Sequence, residues 1–269
     1  MPTLLCPICG KPLSSDGKCF RCENRHSFDI AKEGYVNLAP GRSGSGDSRE
    51  MCRARRDFLS AGYYSRFAEA LADAVKRHIP ESPAVICDAG CGEGYYIREM
   101  KKRLPERDFV GFDLAKDSVR FAAKAEKSAE KPAVFAVAGI FDMPLADLSC
   151  AAVTSVFAPV PAEEAHRILS DRGILAVAHP GEKHLSGFRR LIYDTPYDNT
   201  EKDLSYPGFD KIGEYRCGYG VFIEKRDTEN LFLMTPYCWK TSREDTKKYL
   251  SHDGFETELD FIITVLQKK

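Results

Sequence analysis

Short apolar runs alternate with amphipathic stretches along the middle of the chain, from Ala84 to His179. The apolar runs predict strands at Val85–Asp88, Asp108–Asp113, Ala133–Ala138, Ala151–Phe157 and Gly173–His179. The stretches between them have helical spacing and predict helices at Glu93–Leu104, Lys116–Ser128 and Ala162–Leu169. Because strands and helices alternate, the connections should be right-handed crossovers, and the pattern predicts an α/β fold with a doubly wound parallel sheet.

The flanking segments have weaker patterns. An apolar face at helical spacing runs from a capping residue, Ser48, to about Arg77 and predicts a helical lead-in that ends before Pro80. After Pro180 the pattern predicts helices at His184–Tyr193 and Ser242–Leu250 and strands at Gly218–Glu224 and Phe255–Val265.

Composition limits the protein class and the compartment. The formal net charge is -1, so nucleic-acid binding would have to come from a local basic face. No run approaches the roughly 18 apolar residues of a membrane span, and the first residues do not resemble a signal peptide. We therefore expect a cytoplasmic protein without a membrane partner. Its 10 cysteines should be thiols or metal ligands.

The segment Asp88-Ala89-Gly90-Cys91-Gly92-Glu93-Gly94 follows the first predicted strand. Its glycines Gly90, Gly92 and Gly94 allow a sharp turn and a close approach to a ligand. The spacing differs from the G-x-G-x-x-G dinucleotide fingerprint, and the flanking carboxylates of Asp88 and Glu93 would repel phosphate. Asp113 ends the next strand, where an acidic residue can bind both ribose hydroxyls. A ribose, an amino-acid end and no phosphate describe S-adenosylmethionine.

These residues resemble motif I of the class I S-adenosylmethionine-dependent methyltransferases, whose sheet is Rossmann-like. The resemblance covers roughly Ala84 to His179, and it implies that Ala138-Gly139 lies near the adenine and Ser155–Pro159 near the methyl acceptor. Since the sulfonium is already activated, alignment supplies most of the rate effect, and no catalytic residue can be named from the sequence.

Four cysteines cluster at the N-terminus, in Cys6-Pro7-Ile8-Cys9 and Cys19-x2-Cys22, and His26 follows four residues later. Paired knuckles of this kind predict a structural Zn²⁺, which takes four ligands from these five candidates. Spacing alone slightly favours the four cysteines. Because so short a unit cannot bury much apolar surface, metal binding should be coupled to its folding.

The zinc knuckles, the segment Arg25–Leu38 and Asp88–Tyr96 together resemble the RlmA family of 23S ribosomal RNA guanine-N1 methyltransferases. Segments at 55–64, 179–185 and 234–237 are also similar to that family. The resemblance implies methyl transfer from S-adenosylmethionine to N1 of a guanine in a domain II hairpin of 23S rRNA, beside the peptide exit tunnel. The short, cysteine-rich composition of residues 1–38 and the Gly- and Ser-rich stretch after them indicate three parts: a zinc-binding RNA-recognition domain at 1–38, a linker and helical lead-in at 39–83, and the methyltransferase domain at 84–269.

The resemblance also implies particular site residues. The zinc ligands would be Cys6, Cys9, Cys22 and His26, although Cys19 keeps an all-cysteine site open. Tyr64, Glu93, Gly94 and His184 would contact the methyl donor. Without the resemblance, Tyr64 would be interpreted as a core aromatic residue and His184 as a loop or helix-cap histidine.

RNA binding would need cations and aromatic rings. Basic residues near the zinc unit and the linker are candidate phosphate contacts: Arg25, Lys32, Arg42, Arg49, Arg53, Arg55 and Arg56. A guanine flipped out of its pair would stack on an aromatic ring, for which the candidates are Phe157, Tyr193, Tyr237 and Trp239. The resemblance implies a homodimer. Two other functions stay open: a small-molecule methyltransferase, and a non-enzymatic zinc-ribbon RNA-binding protein.

Overall fold

A computed structural model describes residues 2–39, 41, 47–193, 195, 199–200, 204–239 and 241–269. Its strands are β1 (Ser14–Ser15), β2 (Cys19–Arg21), β3 (Ser27–Asp29), β4 (Val36–Asn37), β5 (Val85–Ala89), β6 (Asp108–Asp113), β7 (Val134–Val137), β8 (Cys150–Val156), β9 (Leu169–Pro180), β10 (Phe209–Glu224) and β11 (Gly254–Lys268). Its helices are α1 (Arg49–Ser60), α2 (Ser65–His78), α3 (Tyr95–Arg103), α4 (Lys116–Glu126), α5 (Ala162–Ile168), α6 (Ser186–Ile192), α7 (Lys225–Met234) and α8 (Arg243–Leu250). A 3₁₀ turn follows α7 at Pro236–Trp239.

The main sheet has eight strands in the order β10-β11-β9-β8-β5-β6-β7-β4. Every neighbouring pair from β9 to β4 is parallel, which confirms the α/β class and the doubly wound arrangement predicted for this part of the chain. β11 is antiparallel to both β9 and β10, so the complete sheet is mixed. The chain order reverses at β5, with β6 on one side and β8 on the other, and ligands of such sheets bind at the carboxyl edge of this point.

The helical lead-in is interrupted. A single helix was predicted from Ser48 to Arg77, but α1 ends at Ser60 and α2 begins at Ser65. Ser48 caps α1 as predicted, because its hydroxyl accepts a hydrogen bond from the Met51 N–H at 3.2 Å. Gly62 then adopts a φ of +87°, a left-handed conformation that commonly ends a helix. The break places Tyr64 directly before α2.

The C-terminal part also differs from its pattern. The predicted strand Gly218–Glu224 is only the end of β10, which has 16 residues. The alternating burial and the glycines of this edge strand weaken its apolar signal. The helix predicted from His184 begins at Ser186, so His184 lies in the preceding loop, and α7 was not predicted.

The N-terminal residues share the main sheet. β1, β2 and β3 form a small antiparallel sheet, but β4 pairs in parallel with β7, with Val36 opposite Ala136. Leu4, Val36 and Leu38 are buried in a core cluster that also contains residues of β5, β6, β8, β9 and β11. Residues 1–38, predicted as a separate unit, therefore share a sheet and a core with the rest of the chain. The division into 1–38, 39–83 and 84–269 stays a prediction.

Within the described ranges, no helix has both the length and the apolar character needed to cross a bilayer.

Candidate methyl-donor site and metal centre

The glycine loop lies at the carboxyl end of β5, where the strand order reverses. Gly90, Gly92 and Gly94 all have positive φ, at 83°, 52° and 78°. A Cβ on Gly90 would lie 2.7 Å from the Cβ of Ala158, and a Cβ on Gly94 would lie 2.9 Å from that of Ala122. A Cβ on Gly92 would meet nothing within 4 Å. Gly90 and Gly94 thus permit close packing, while Gly92 faces the open space in which a ligand could lie.

Each of two carboxylates beside this loop has one oxygen that accepts no hydrogen bond from the described residues. Asp88 Oδ1 accepts a hydrogen bond from the Thr154 hydroxyl at 2.7 Å, and Glu93 Oε2 is 2.7 Å from the Arg98 guanidinium. Asp88 Oδ2 and Glu93 Oε1 are buried without a partner among the described residues. Burial raises the pKa of Asp88 to about 7 and also raises the pKa of Glu93. A cationic or hydrogen-bonding ligand would satisfy both oxygens.

Asp113 ties the loop to the end of β6. Its Oδ2 accepts a hydrogen bond from the Gly92 N–H at 3.0 Å, and its Oδ1 accepts one from the Ala115 N–H at 2.7 Å. Desolvation raises the pKa of this carboxyl group, although both N–H donors oppose the shift. Each carboxylate oxygen has a further lone pair, so Asp113 can still accept hydrogen bonds from a ligand hydroxyl.

The structure brings Tyr64 and His184 together although 120 positions separate them. Both side chains are buried, and the Tyr64 hydroxyl is 3.3 Å from His184 Nε2. His184 Nδ1 must accept the hydrogen bond that the Asp260 backbone N–H donates at 3.3 Å. The neutral ring therefore carries its proton on Nε2 and donates it to the Tyr64 oxygen. Burial lowers the pKa of His184 to about 3, so the ring stays neutral at physiological pH.

A network of charged groups fixes the loop that carries His184. Arg216 binds the Asp260 carboxylate through two nitrogens, at 2.9 and 2.6 Å, and the Lys183 N–H also donates to this carboxylate. The Arg189 guanidinium is almost fully buried and donates to the backbone carbonyls of His184 and Glu182. These interactions orient the His184 ring, and the sequence pattern gave no indication of them.

An aromatic wall stands beside the Tyr64–His184 pair. Phe261 packs against Tyr64 and His184, with ring centroids 5.0 and 4.7 Å apart, and stacks on Phe67 at 4.1 Å. Phe67 in turn contacts Tyr96, which lies in the first turn of α3 after the glycine loop. This contact chain links Tyr64 to the donor loop.

The predicted base-stacking candidates have different surroundings. Phe157 follows β8 and is 44% exposed beside the aromatic wall. Tyr193 and Tyr237 contact each other, with ring centroids 6.0 Å apart. Trp239 is 72% exposed in the 3₁₀ turn.

The metal-ligand candidates form one cluster: Cys6, Cys9, Cys22 and His26, whose ligand atoms all lie within 4.8 Å of one another. His26 Nδ1 is 3.5 Å from Cys6 Sγ and 3.4 Å from Cys22 Sγ, and the sulfurs of Cys9 and Cys22 are 3.7 Å apart. Tetrahedral Zn²⁺ with Zn–S of about 2.3 Å and Zn–N of about 2.0 Å gives S–S edges of roughly 3.8 Å and S–N edges of roughly 3.5 Å. The four residues fit a zinc ion.

Cys19 lies outside this cluster. Its sulfur is 3.5 Å from Asp16 Oδ2, and the Asp16 carboxylate also accepts the Cys19 N–H. Cys19 belongs to β2, where it pairs with Asp29 of β3. Because both cysteine pairs have the same spacing, the sequence does not show that Cys19 differs from the other three cysteines.

The candidate phosphate contacts divide into two groups. Arg25, Lys32, Arg49 and Arg53 are exposed, whereas Arg42 falls outside the described residues. Arg55 does not fit the prediction of a phosphate contact, because its guanidinium pairs with Asp47 and also lies 3.4 Å from the Met234 carbonyl. Arg56 is half-buried, pairs with Asp57 and lies over the Phe121 ring. Neither residue presents a free cation to RNA.

Comparisons with known proteins agree with this arrangement. The family model "RlmA, N-terminal" matches residues 4–43, and the model "Methyltransferase domain" matches residues 80–216. A protein from Micromonospora griseorubida, named "Putative 23S rRNA (guanine-N(1)-)-methyltransferase", is 33% identical over 90% of this chain and 88% of its own length. The chain belongs to the RlmA family. It therefore has the class I methyltransferase fold and a zinc ribbon.

A further relative and solved structures are also similar. The "23S rRNA (guanine(748)-N(1))-methyltransferase" of Streptomyces fradiae is 30% identical over 92% of this chain and 90% of its own length. Among solved structures, the YcgJ protein of Bacillus subtilis matches with a TM-score of 0.49 and 14% identity, over 74% of this chain and 97% of that chain.

Proposed function

We propose that this RlmA-family protein transfers a methyl group from S-adenosylmethionine to N1 of a guanine in a domain II hairpin of 23S rRNA. The observation that carries the proposal is the presence, in one chain, of a metal cluster with zinc spacing and a glycine loop flanked by carboxylates. The names of the relatives, which match this chain over about nine tenths of its length, support the choice of base and atom.

The residues around the glycine loop fit S-adenosylmethionine. The carboxylates of Asp88 and Glu93 would favour the positively charged donor and repel a phosphate. Asp113 would accept hydrogen bonds from the ribose hydroxyls, while Gly90, Gly92 and Gly94 leave room for the backbone to approach. Bound S-adenosylmethionine supplies a methyl group that its sulfonium already activates.

Tyr64 and His184 are proposed to hold the donor in line with the base. Since His184 Nε2–H donates to the Tyr64 oxygen, the Tyr64 hydroxyl hydrogen is available for a ligand acceptor. His184 has no free lone pair in this arrangement and therefore does not remove the N1 proton of guanine. These residues act by positioning, which supplies much of the rate effect in reactions of this class.

Cys6, Cys9, Cys22 and His26 are proposed as the ligands of a structural Zn²⁺, which would hold the small sheet β1–β3 together. The exposed cations Arg25, Lys32, Arg49 and Arg53 would contact RNA phosphates. We further propose that the protein acts in the cytoplasm, where its rRNA substrate is found, and that it forms a homodimer, as the family resemblance implies. Sedimentation analysis with and without RNA checks the dimer.

The direct test uses the purified protein, S-adenosylmethionine with a labelled methyl group, and 23S rRNA. A methyl group on N1 blocks Watson–Crick pairing, so reverse transcription should stop one nucleotide before the modified guanine. The expected result is label in the RNA and a single new stop in a domain II hairpin. Label without such a stop would contradict the N1 assignment.

The two other functions give different results. A small-molecule methyltransferase would leave rRNA unlabelled and methylate a member of a metabolite panel. A non-enzymatic zinc-ribbon protein would bind RNA but show no heat of binding with millimolar S-adenosylmethionine.

A further inference from the structure

Phe157 has an unusual backbone conformation at the carboxyl end of β8. Its φ is +54°, in the left-handed region that a residue with a Cβ rarely adopts. The Phe157 N–H still donates to the Ala178 carbonyl at 3.0 Å, which fixes the residue against β9. Glycine or asparagine would take this conformation more easily, so the phenyl ring needs an explanation beyond the turn.

The ring is also exposed where apolar side chains are otherwise buried. Its centroid lies 5.8 Å from that of Phe67 and 5.9 Å from that of Phe261, so one side of the ring packs on the aromatic wall. Yet 44% of the residue remains accessible. The protein thus presents a flat apolar surface on a rigid support.

This surface adjoins the donor loop. Ala158 follows Phe157, and its Cβ is the atom that a Cβ on Gly90 would meet at 2.7 Å. Phe157 also lies 6.4 Å from the Tyr64 ring and 6.1 Å from the His184 ring. A methyl acceptor must lie next to the donor, and Phe157 lies beside the proposed donor loop.

We propose that Phe157 is the ring on which the target guanine stacks after it leaves the RNA helix. The inference rests on the proposed function and chooses one of the four aromatic candidates. A planar ring with one supported side matches the flat face of a purine, and its left-handed backbone directs it out of the strand end.

Leu148, just before the start of β8, offers a matched control. It has a φ of +56° and is 52% exposed, but it precedes β8 and lies at the other end of that strand. A substitution there changes an exposed apolar side chain on the same kind of left-handed backbone, at the end of β8 that lies away from the donor loop.

The first test compares Phe157→Leu, Phe157→Tyr and Leu148→Ala by steady-state kinetics on 23S rRNA. Phe157→Leu keeps an apolar contact with the wall but has no flat face, so kcat/KM for RNA should fall about tenfold to a hundredfold. The Kd for S-adenosylmethionine should change less than twofold. Phe157→Tyr keeps a flat ring and should lose less kcat/KM than Phe157→Leu, and Leu148→Ala should retain the wild-type kcat/KM.

The second test detects the stack itself. Trp239 is the one tryptophan of the chain, so Trp239→Phe removes the native tryptophan fluorescence. In that background, Phe157→Trp provides the only tryptophan signal. An RNA hairpin with its target guanine should quench the new fluorescence, and the same hairpin with an abasic nucleotide there should not.

Three results would overturn the inference. These are an unchanged kcat/KM in Phe157→Leu beside an active wild type, a parallel loss of S-adenosylmethionine binding, and equal quenching by the abasic hairpin. A wild-type protein that labels no rRNA would instead refute the proposed function, and the stacking role with it.

Discussion

Asp88 combines a buried carboxyl group with an unpartnered oxygen, and this combination has a consequence for stability. Its pKa in the folded protein is raised to about 7, above the usual value of about 3.9. Between these values the folded state binds more protons than the unfolded state, so the free energy of unfolding should fall as pH rises from about 4 to 7.

Asp88→Asn should make this dependence shallower, because it removes the Asp88 titration and leaves those of Glu93 and Asp113. The removed change is expected to be a few kcal/mol across the window. Urea unfolding at several pH values between 4 and 8 measures it, with Asp171→Asn as a control at an exposed aspartate. An Asp88→Asn curve parallel to that of the wild type would contradict the assignment.

Gly94 tests whether the donor loop needs its glycines for packing as well as for conformation. Gly94 and Gly62 have similar φ values, 78° and 87°. A Cβ added at Gly94 would lie 2.9 Å from the Ala122 Cβ, whereas a Cβ added at Gly62 would meet nothing within 4 Å. Gly62→Ala should cost about 1 kcal/mol of stability, whereas Gly94→Ala should cost about 2–4 kcal/mol and weaken S-adenosylmethionine binding. Thermal unfolding and calorimetry check both, and equal losses in the two variants would exclude a packing role.

Individual residues show where sequence reasoning ends. The glycine run and Asp113 could be singled out because their chemistry depends on local spacing. Spacing alone left five metal-ligand candidates and slightly favoured the four cysteines, and only the family resemblance implied His26 in place of Cys19. Arg55 was expected at the surface, but its partners are Asp47 and the distant Met234 carbonyl. The Asp260 contacts of His184 were equally invisible, since they join positions 76 residues apart.

At the scale of elements, the zinc ribbon gives the sharpest prediction. Cys22→Ser and His26→Ala should each reduce bound zinc well below one ion per chain, because each removes a member of the cluster. Cys19→Ser should keep a full complement, since its sulfur contacts Asp16 instead. Metal analysis after dialysis decides, and zinc loss in Cys19→Ser with retention in His26→Ala would reverse the ligand assignment.

The central elements were predictable and the peripheral ones were not. β5 to β9 are buried on both faces, so each is a continuous apolar run in the sequence. β10 lies at the sheet edge with one face exposed, and β4 has only two residues, so neither has a clear pattern. The break at Gly62 was missed because the apolar spacing continues through it.

At the scale of the whole molecule, β4, which follows the metal centre in the chain, joins the sheet that carries the donor site. The Leu38 N–H donates to the Val137 carbonyl at 2.9 Å, and β7 ends just before Ala138-Gly139, which the resemblance places near the adenine. Loss of metal should therefore disturb β7 as well as the small sheet.

Chelation of zinc should accelerate hydrogen exchange at the amides of β7 and lower the Tm of the whole protein, not only of its first 38 residues. Exchange measured by mass spectrometry on the intact protein checks this, with β9 as an internal reference. Exchange that increases only in β1–β3 would show that the metal acts locally.

The pairing of β4 with β7 also constrains the construction of chimaeras from family members. A crossover placed directly after His26 would leave β4 with β7 but separate β4 from the knuckles that precede it. A crossover after Ala39 would keep Val36 and Asn37 with the knuckles, and these two residues would pair with Ala136 and Val137 of the other parent. Exchange of RNA specificity between relatives should therefore succeed only when this short strand moves with the ribbon.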